Sequence, residues 1–329
     1  MKILVTGRLP AEVLETLTRE HDVDARKADR PMPREQILQC VSDKEGLLCM
    51  ITDRIDRELM DRAPRLKMIA NFGVGYNNID VKEATARGIP VSNTPGVLTE
   101  ATADATLALI IGVSRRIVEG DRMTREGRFQ FWAPFYFLGS EVSGKTLGIV
   151  GLGRIGRAVA RRARGFDMRI LYHKRTRMAA DEEKELGVEY ASLKDLLGQA
   201  DFVSLHVPLT DHTRHLIDRE ALGLMKPAAF LINTSRGPVV DEQALVKALQ
   251  EKRIAGAGLD VYENEPELAP GLAELENAIL LPHVGSATME TRTRMAQKAA
   301  ENLLAGLGGE VPPDCINRES LSMKNLDPA

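Results

Sequence analysis

Three polar side chains each follow an apolar run of the sequence within a few residues: Arg236, Glu265 and His283. A guanidinium matches the fork of a carboxylate and stays charged. An imidazole gains and loses a proton near neutral pH, and a carboxylate beside it favours the protonated form. Reduction of a 2-keto acid needs a cation for the carboxylate and a proton for the carbonyl oxygen, beside a hydride donor. The three residue types fit that reaction and its reversal.

Each of these residues also has a purely structural interpretation. An arginine near a loop is usually a surface residue, and a histidine after a proline is often part of a turn. His206, in Ser204-Leu205-His206-Val207-Pro208, is a second candidate histidine because it too follows an apolar run. The residue pattern alone therefore leaves both histidines open.

The elements that position these residues are short apolar runs alternating with amphipathic stretches, a pattern typical of βα units around a parallel sheet. Runs that are apolar throughout are expected for strands covered on both faces. The carboxyl ends of such strands lie at one edge of the sheet, where ligands bind. The predicted strands are Ile3–Val5, Gly46–Ile51, Leu66–Ala70, Ile89–Val91, Thr146–Val150, Arg169–Tyr172, Phe202–Val207, Ala229–Asn233, Ala255–Val261 and Ile279–Leu281.

Two long helical patterns separate the groups of strands, one from Thr99 to Arg125 and one from Thr288 to Leu307. We predict an α/β protein with two Rossmann-like or flavodoxin-like domains and a cleft between them. Residues 99–286 would form a dinucleotide-binding Rossmann domain. Residues 1–98 and 287–329 would form a discontinuous, substrate-binding outer domain.

A glycine-rich turn follows the predicted strand Thr146–Val150. It reads Gly151-Leu152-Gly153-Arg154-Ile155-Gly156 and begins a predicted helix. The first glycine permits the tight turn, the second lets the backbone approach a pyrophosphate, and the third lets helix and strand pack closely. The N–H groups and the dipole at the helix N-terminus favour phosphate. The alternative is a glycine-rich turn without a ligand, but the flanking elements favour a bound dinucleotide.

The end of the next strand bears on which dinucleotide is bound. NAD-binding versions usually place an acidic residue there, about 20 residues after the glycines, to accept from the ribose 2′-OH. This chain has Tyr172-His173-Lys174-Arg175-Thr176-Arg177 and no carboxylate before Asp181. Lys174, Arg175 and the Thr176 hydroxyl would bind a 2′-phosphate. We therefore predict NADP as the cofactor, with NAD as the alternative.

The bulk composition excludes several classes of protein. The 329 residues carry a formal net charge of −3, which gives no electrostatic reason to expect nucleic acid or an anionic membrane as partner. Three scattered cysteines fit reduced thiols, and we predict no metal site. No apolar stretch is long enough for a signal peptide or a membrane span, so a cytoplasmic location is expected.

Aromatic side chains are concentrated in one segment, residues 129–137. Six of the chain's fourteen aromatic residues lie in these nine positions. Aromatic residues bury large areas and are enriched at interfaces. We predict a homodimer contact there. The alternative is a loop folded onto its own core.

Several segments together resemble the D-isomer-specific 2-hydroxyacid dehydrogenase family over nearly the whole chain, and most closely its glyoxylate/hydroxypyruvate reductases. Besides the glycine-rich turn, the segments are Asn71-Phe72-Gly73-Val74-Gly75-Tyr76-Asn77-Asn78-Ile79-Asp80, Ile232-Asn233-Thr234-Ser235-Arg236-Gly237, Gly258-Leu259-Asp260-Val261-Tyr262-Glu263-Asn264-Glu265-Pro266 and Leu281-Pro282-His283-Val284-Gly285-Ser286.

The resemblance implies roles for these segments. Arg236, Glu265 and His283 would act as a catalytic trio, which favours His283 over His206. Backbone N–H groups at Val74 and Gly75 would hold the substrate carboxylate together with Arg236. Asp260 would contact the nicotinamide carboxamide. Further implied cofactor contacts are Thr106, Thr234, Ser235 and Gly285. A homodimer is usual in the family.

Two other functions remain open at this stage. Other members of the same family act as phosphoglycerate, lactate or phosphite dehydrogenases, and the side chains that choose among substrates are not evident from one sequence. A nucleotide-sensing corepressor-like protein would share the fold, and we expect it to carry a long disordered tail. This chain ends about forty residues after His283, mostly in a predicted helix, which favours an enzyme.

Overall fold

A computed structural model describes residues 1–321, and these divide into two compact units. One unit contains Met1–Leu98 and the segment from Thr288 onward, and the other contains Thr99–Ala287. Each unit is built on its own parallel sheet. The predicted fold class, two α/β units with parallel sheets and a discontinuous first unit, is confirmed.

The elements follow one another in the alternating order expected of βα units. The first part of the chain contains β1 (Lys2–Val5), α1 (Ala11–Thr18), β2 (Asp22–Ala25), α2 (Arg34–Cys40), β3 (Gly46–Met50), α3 (Arg57–Arg62), β4 (Met68–Phe72), α4 (Val81–Ala86) and β5 (Val91–Ser92). The second unit contains α5 (Thr99–Ser114), α6 (Ile117–Arg125), β6 (Thr146–Val150), α7 (Arg154–Ala163), β7 (Arg169–His173), α8 (Ala180–Leu186), β8 (Glu189–Tyr190), α9 (Leu193–Gln199), β9 (Phe202–Leu205), α10 (Arg219–Leu224), β10 (Phe230–Asn233), α11 (Glu242–Gln250), β11 (Gly256–Leu259) and β12 (Ala278–Leu280). The helix α12 (Met289–Leu307) returns the chain to the first unit.

The sheet of the first unit has the strand order β2-β1-β3-β4-β5, with every pair parallel. This is the order of flavodoxin-like folds. Helix α12 packs closely on the sheet at Gly46, where an added methyl group would lie 3.0 Å from Leu307. Its N-terminus is capped by Thr288, whose hydroxyl accepts from the Thr291 N–H at 3.1 Å.

The sheet of the second unit has the order β12-β11-β10-β9-β6-β7-β8, again all parallel. The first strand of this sheet in the chain is β6. The strands β7 and β8 are then added on one side of it, and β9 to β12 on the other side. The strand order reverses between β6 and β9, which is where open α/β sheets bind ligands. Buried apolar side chains cover both faces of these strands, so the carboxyl ends are the part of the sheet free to carry polar groups.

The prediction of a single helix from Thr99 to Arg125 is wrong. The segment forms two helices, α5 and α6. Arg116 interrupts it with a left-handed backbone (φ 54°). The Ser114 carbonyl at the end of α5 accepts from the Ser140 N–H at 2.7 Å instead of continuing the helix. The Arg116 side chain binds Glu119 at 2.6 Å and lies 4.0 Å from the centre of the Phe137 ring. The break is therefore stabilised by the aromatic segment that follows, which a local helical pattern does not reveal.

Within residues 1–321, no helix combines the length and the apolar composition that crossing a membrane requires. In the same part of the chain, no group of three or more His, Cys, Asp or Glu side chains could hold a metal ion.

Candidate active site

A histidine and a glutamate form a hydrogen-bonded pair beyond the ends of β11 and β12. His283 Nδ1 lies 2.9 Å from Glu265 Oε2. Glu265 Oε1 accepts from the backbone N–H of Tyr262 at 3.0 Å, which fixes the carboxylate plane. Both side chains are about a third exposed, at 28% and 33%. With Nδ1 held by the carboxylate, Nε2 is the ring nitrogen left to exchange a proton with a ligand.

The electrostatics of the pair favour an ionised carboxylate. Burial alone would raise the pKa of Glu265, but the hydrogen bond and the charge of His283 outweigh it, so the pKa is lowered. The nearby Arg236 guanidinium acts in the same direction. Burial lowers the pKa of Arg236 itself, and the charge of Glu265 opposes this effect. A guanidinium nevertheless remains charged at neutral pH.

Arg236 lies in a turn after β10 that is organised by a buried asparagine. Asn233 Nδ2 donates to the Arg236 carbonyl at 3.0 Å, and Asn233 Oδ1 accepts from the N–H and the hydroxyl of Ser235 at 3.0 and 2.8 Å. Gly237 follows, and a methyl group added there would lie 1.8 Å from the carbonyl group of Tyr262. The turns that carry Arg236 and Glu265 are therefore in direct backbone contact, which only glycine permits.

The turn that carries His283 is tied to β11 by Asp260. The Asp260 carboxylate accepts from the N–H groups of Val284 and Gly285 at 2.7 and 2.8 Å. The Tyr262 hydroxyl donates to the Leu281 carbonyl at 2.8 Å, on the other side of the histidine. His283 itself has a left-handed backbone (φ 53°), which is uncommon for a residue other than glycine. The surrounding hydrogen bonds hold it in that conformation.

The glycine-rich turn between β6 and α7 has the geometry of a phosphate cradle. Gly151 has a positive φ of 98°, and a methyl group there would lie 2.6 Å from the His206 carbonyl. A methyl group at Gly156 would lie 2.3 Å from the Gly151 carbonyl. At Gly153, by contrast, the space is open. This opening faces the first turn of α7, where the N–H groups of Arg154 and its neighbours are available to a phosphate.

The turn after β7 presents cations rather than a carboxylate. Among the described residues, Lys174 and Arg175 form no ion pair, and Arg175 is exposed. Arg177 is instead bound to Glu183, with Nε and Nη2 at 2.9 and 2.8 Å from its carboxylate. Tyr172 also donates to Glu183, at 2.6 Å. The charge of the Glu183 carboxylate is thus balanced by Arg177 within the same region of the chain.

His206, the second candidate histidine, has a different environment from His283. Its Nε2 lies 2.8 Å from the Ser204 hydroxyl, and burial lowers its pKa to about 3. Its Nδ1 is buried and has no hydrogen-bond partner among the described residues. A histidine with this pKa is neutral at physiological pH and lacks the acidic proton of an imidazolium. The geometry therefore favours His283 as the acid.

Comparison with known proteins agrees with this arrangement. Residues 107–285, more than half of the chain, match the family model described as D-isomer specific 2-hydroxyacid dehydrogenase, NAD binding domain. The chain belongs to this family. The resemblance stated from the sequence is confirmed, and the protein is a dehydrogenase that uses NAD or NADP.

Three relatives show how far the similarity of this dehydrogenase extends. Glyoxylate reductase of Pyrococcus furiosus is 50% identical over 327 residues, which cover 98% of this chain and 97% of the relative. The structure of protein TT0316 of Thermus thermophilus is 48% identical with a TM-score of 0.89, covering 96% of this chain and all of that one (100%). The NADPH-dependent glyoxylate/hydroxypyruvate reductase of Sinorhizobium meliloti, solved with NADP and malonate, is 36% identical with a TM-score of 0.85, covering 97% and 99%.

The remaining residues predicted to contact the cofactor each form a hydrogen bond to a neighbouring residue of the dehydrogenase. Thr106 is fully buried in α5; its hydroxyl donates to the Thr102 carbonyl and lies 2.9 Å from the Thr234 hydroxyl. Ser235 is bound to Asn233, and the Gly285 N–H is bound to Asp260. These residues support the turns at the strand ends. Their contact with a cofactor stays a prediction.

The predicted carboxylate-binding loop lies after β4 in the first unit. Asn71 Nδ2 donates to the Gly75 carbonyl at 2.9 Å, and Asn93 Nδ2 donates to the Val74 carbonyl at 2.7 Å. With these carbonyls bound, the orientation of the peptide groups in the loop is set.

Some residues that shape the site are absent from the sequence-based prediction. Asn233 and Tyr262 hold the turns of the trio through hydrogen bonds, as does Glu242, considered below. The signal that could have identified Asn233 is its position at the end of a buried strand, where a polar side chain needs a partner. Tyr262 and Glu242 carry no comparable local signal.

Proposed function

We propose that this dehydrogenase is a glyoxylate reductase that uses NADPH and accepts hydroxypyruvate as a second substrate. The observation that carries the proposal is the His283–Glu265 pair, 2.9 Å apart, next to the Arg236 turn. The curated names of relatives about half identical over nearly the whole chain support glyoxylate as the substrate. The Sinorhizobium meliloti neighbour, named for both substrates, supports hydroxypyruvate.

The residues of the trio divide the reaction between them. Arg236 binds the carboxylate of the keto acid through a bidentate pair of hydrogen bonds. His283 donates the proton on Nε2 to the carbonyl oxygen, and Glu265 stabilises the imidazolium from which it comes. A bound reduced nicotinamide would supply the hydride to the carbonyl carbon. In the reverse direction neutral His283 takes the proton from the 2-hydroxy group. We also propose that the N–H groups of Val74 and Gly75 bind the carboxylate.

The turn after β7 supports NADPH over NADH. A 2′-phosphate needs cations that are not already paired, and Lys174 and Arg175 make no ion pair among the described residues. The Thr176 hydroxyl is exposed beside them. Asp260 would meet the nicotinamide carboxamide, with Thr106, Thr234, Ser235 and Gly285 around it. The glycine-rich turn, with Arg154 and Ile155, would hold the pyrophosphate.

Absorbance loss at the nicotinamide band tests this proposal. Glyoxylate, hydroxypyruvate and pyruvate are each supplied with NADPH and with NADH. We expect the fastest oxidation with NADPH and glyoxylate. Activity with pyruvate alone would contradict the substrate, and activity with NADH alone would contradict the cofactor.

The cations of the turn are tested by Lys174→Ala and Arg175→Ala. Each is expected to raise KM for NADPH by about tenfold, the scale of one charge-assisted hydrogen bond, with KM for NADH unchanged. Lys184→Ala is the matched control because it removes the same charge from an exposed position on α8. Equal effects of all three substitutions would indicate only a general loss of positive charge.

We further propose a homodimer formed through residues 129–137. Trp132 and Phe135 are 79% and 88% exposed, while Tyr136 and Phe137 are partly buried. Packing onto the chain's own core therefore accounts for the end of the segment but not for its middle. Phe135→Asp is expected to convert a dimer into a monomer in sedimentation velocity, and a variant that sediments as the wild-type dimer would contradict the proposed interface.

A cytoplasmic location stays a prediction.

A further inference from the structure

A buried glutamate that the proposed mechanism does not use lies at the start of α11. Glu242 is 3% exposed and forms no ion pair with any described residue. Burying a carboxylate without a cation is costly unless hydrogen bonds compensate. The contacts of Glu242 therefore indicate what the side chain does.

Both carboxylate oxygens of Glu242 accept hydrogen bonds from one loop. Oε1 accepts from the Glu263 N–H at 2.9 Å, and Oε2 accepts from the Ala269 N–H at 3.2 Å. These two positions lie on either side of Glu265. One side chain thus binds both ends of the segment 263–269, which carries the partner of His283.

The loop in turn contacts the first residue of α11 through the Glu263 side chain. The Glu263 carboxylate lies 3.4 Å from the Glu242 N–H through Oε2 and 2.6 Å from His215 Nε2 through Oε1. Arg214 lies 3.6 Å from the same Oε1. The contact between α11 and the loop is therefore reciprocal, with each glutamate accepting from the backbone of the other. An arrangement of this kind fixes the distance between the two segments.

We propose that Glu242 is a positioning residue for Glu265, and that it sets the orientation of the His283–Glu265 pair by binding both ends of the segment 263–269, within the loop between β11 and β12. The inference rests on the proposed role of that pair in the reaction. A glutamine at this position accepts through one oxygen only, and its amide group would face an N–H that has lost its acceptor. The loop would then be held at one end.

The expected effect is on turnover rather than on binding. Catalysis depends steeply on placement, and a displacement of about 1 Å can reduce the rate by about 100-fold. We expect Glu242→Gln to lower kcat for glyoxylate by about tenfold, with KM for glyoxylate and Kd for NADPH changed by less than about twofold. The groups proposed to bind the two ligands, Arg236 and the glycine-rich turn, lie outside the loop that Glu242 holds.

Asp241→Asn is the matched control. It makes the same change of charge one residue earlier, and asparagine caps a helix as well as aspartate does. The Asp241 carboxylate accepts from the Ala244 N–H at 3.0 Å, within α11 itself and away from the loop. The control is expected to keep wild-type kcat, KM and melting temperature.

Two further measurements separate positioning from a general structural role. The first is the pH dependence of kcat/KM. Asp260, Arg236 and Glu242 itself act electrostatically on Glu265, and loss of the Glu242 charge in Glu242→Gln would by itself favour an ionised Glu265. If Glu265 is displaced from His283, the pKa of Glu265 instead rises from the lowered value, so the acid-side fall of kcat/KM begins at higher pH. The second is a double-mutant cycle, in which Glu242→Gln is expected to have little further effect on kcat in a Glu265→Gln background.

Three results would overturn the inference. They are a wild-type kcat and pH profile in Glu242→Gln, fully additive losses in the cycle, and loss of NADPH binding in step with kcat, which would assign Glu242 to the folding of the unit. A wild-type chain that does not reduce glyoxylate would instead contradict the proposed function, so the two failures are distinguishable.

Discussion

The two halves of the second sheet position their functional groups by different means. Beyond β6 the group proposed to bind the ligand is the backbone itself, and glycines give it room: Gly153 faces open space, while Gly151 and Gly156 allow close packing. Beyond β10, β11 and β12 the groups proposed to act on the substrate are side chains. Their turns are held by buried polar residues, chiefly Asn233, Asp260 and Glu242.

The two halves of the sheet hold their functional groups in place in different ways. A phosphate is recognised by N–H groups and a helix dipole, so the phosphate side needs no elaborate side-chain chemistry. Proton transfer and carboxylate binding require particular side chains within a few tenths of an ångström, so their turns need fixed anchors. Each anchor satisfies backbone groups that would otherwise be buried without partners.

The largest effect is expected where a side chain is itself the reacting group. His283→Ala should lower kcat for glyoxylate by about 100-fold or more, the usual scale for loss of a general acid. His206→Ala is the comparison, because that histidine is neutral and bound to Ser204. Stopped-flow and steady-state rates at saturating NADPH measure both variants. Near-normal turnover in the first variant and inactivity in the second would assign the acid to His206 instead.

A smaller loss is expected at the residue that binds the substrate. Arg236→Ala should lower kcat/KM for glyoxylate by about 30-fold or more, since truncating one partner of a buried charge pair costs about 2 kcal/mol or more. Kd for NADPH should not change. Arg236→Lys keeps the charge without the planar fork and should recover only part of the loss. Unaltered kinetics in the alanine variant would remove Arg236 from the site.

The glycine-rich turn can be tested by two separate glycine-to-alanine substitutions, each of which adds one methyl group. Gly151→Ala should lower the melting temperature, because it combines a positive φ with a contact 2.6 Å from the His206 carbonyl and such strain costs about 1–3 kcal/mol. Gly153→Ala should keep the melting temperature but weaken NADPH binding by about tenfold, or about 1.4 kcal/mol. Calorimetry and fluorescence titration measure the two. The opposite pattern would contradict the distinction between packing and binding glycines.

The smallest effect concerns the ion pair behind the β7 turn. Hydrogen bonds from Arg177 and Tyr172 lower the pKa of Glu183 to about 2, from an ordinary 4.5. A depressed carboxylate pKa stabilises the folded state above the ordinary value, and this stabilisation is lost as pH falls toward 2. The melting temperature of Glu183→Gln should therefore fall below that of the wild type at neutral pH and approach it in acid.

The effect at Glu183 should be modest because Arg177 is largely exposed. Glu185→Gln, an exposed position on the same helix, is the matched control. A difference that grows as pH falls would show that the ion pair has the opposite role.

The sequence predicted the glycine-rich turn after β6 better than it predicted the turns after β10, β11 and β12 that carry Arg236, Glu265 and His283. The spacing of glycines, strand and helix is local, so Gly151, Gly153 and Gly156 are visible in six consecutive letters. The three members of the trio were found from strand ends and resemblance, but their anchors were not. Glu242 lies about twenty residues before Glu263 in the sequence and follows a good N-cap residue. By local rules it is an ordinary first-turn glutamate.

The same contrast, between local patterns and distant contacts, explains the errors in the predicted secondary structure. The strands β2 and β8 were missed because both lie at sheet edges and carry exposed or polar side chains instead of apolar runs. The break between α5 and α6 was missed because Arg116 is neither glycine nor proline. Its left-handed backbone depends on contacts with Glu119 and Phe137. Local patterns predict elements that bury apolar surface, and tertiary contacts decide the remainder.

The central claim is that the ionised Glu265 carboxylate, 2.9 Å from His283, holds that histidine as the proton donor in the reduction of glyoxylate. The most direct test is kcat/KM for glyoxylate with NADPH, measured against pH in the wild type and in Glu265→Gln. The account predicts a lower maximum in the variant and loss of the acid-side fall that protonation of Glu265 causes in the wild type. Superimposable profiles for the two proteins would contradict it.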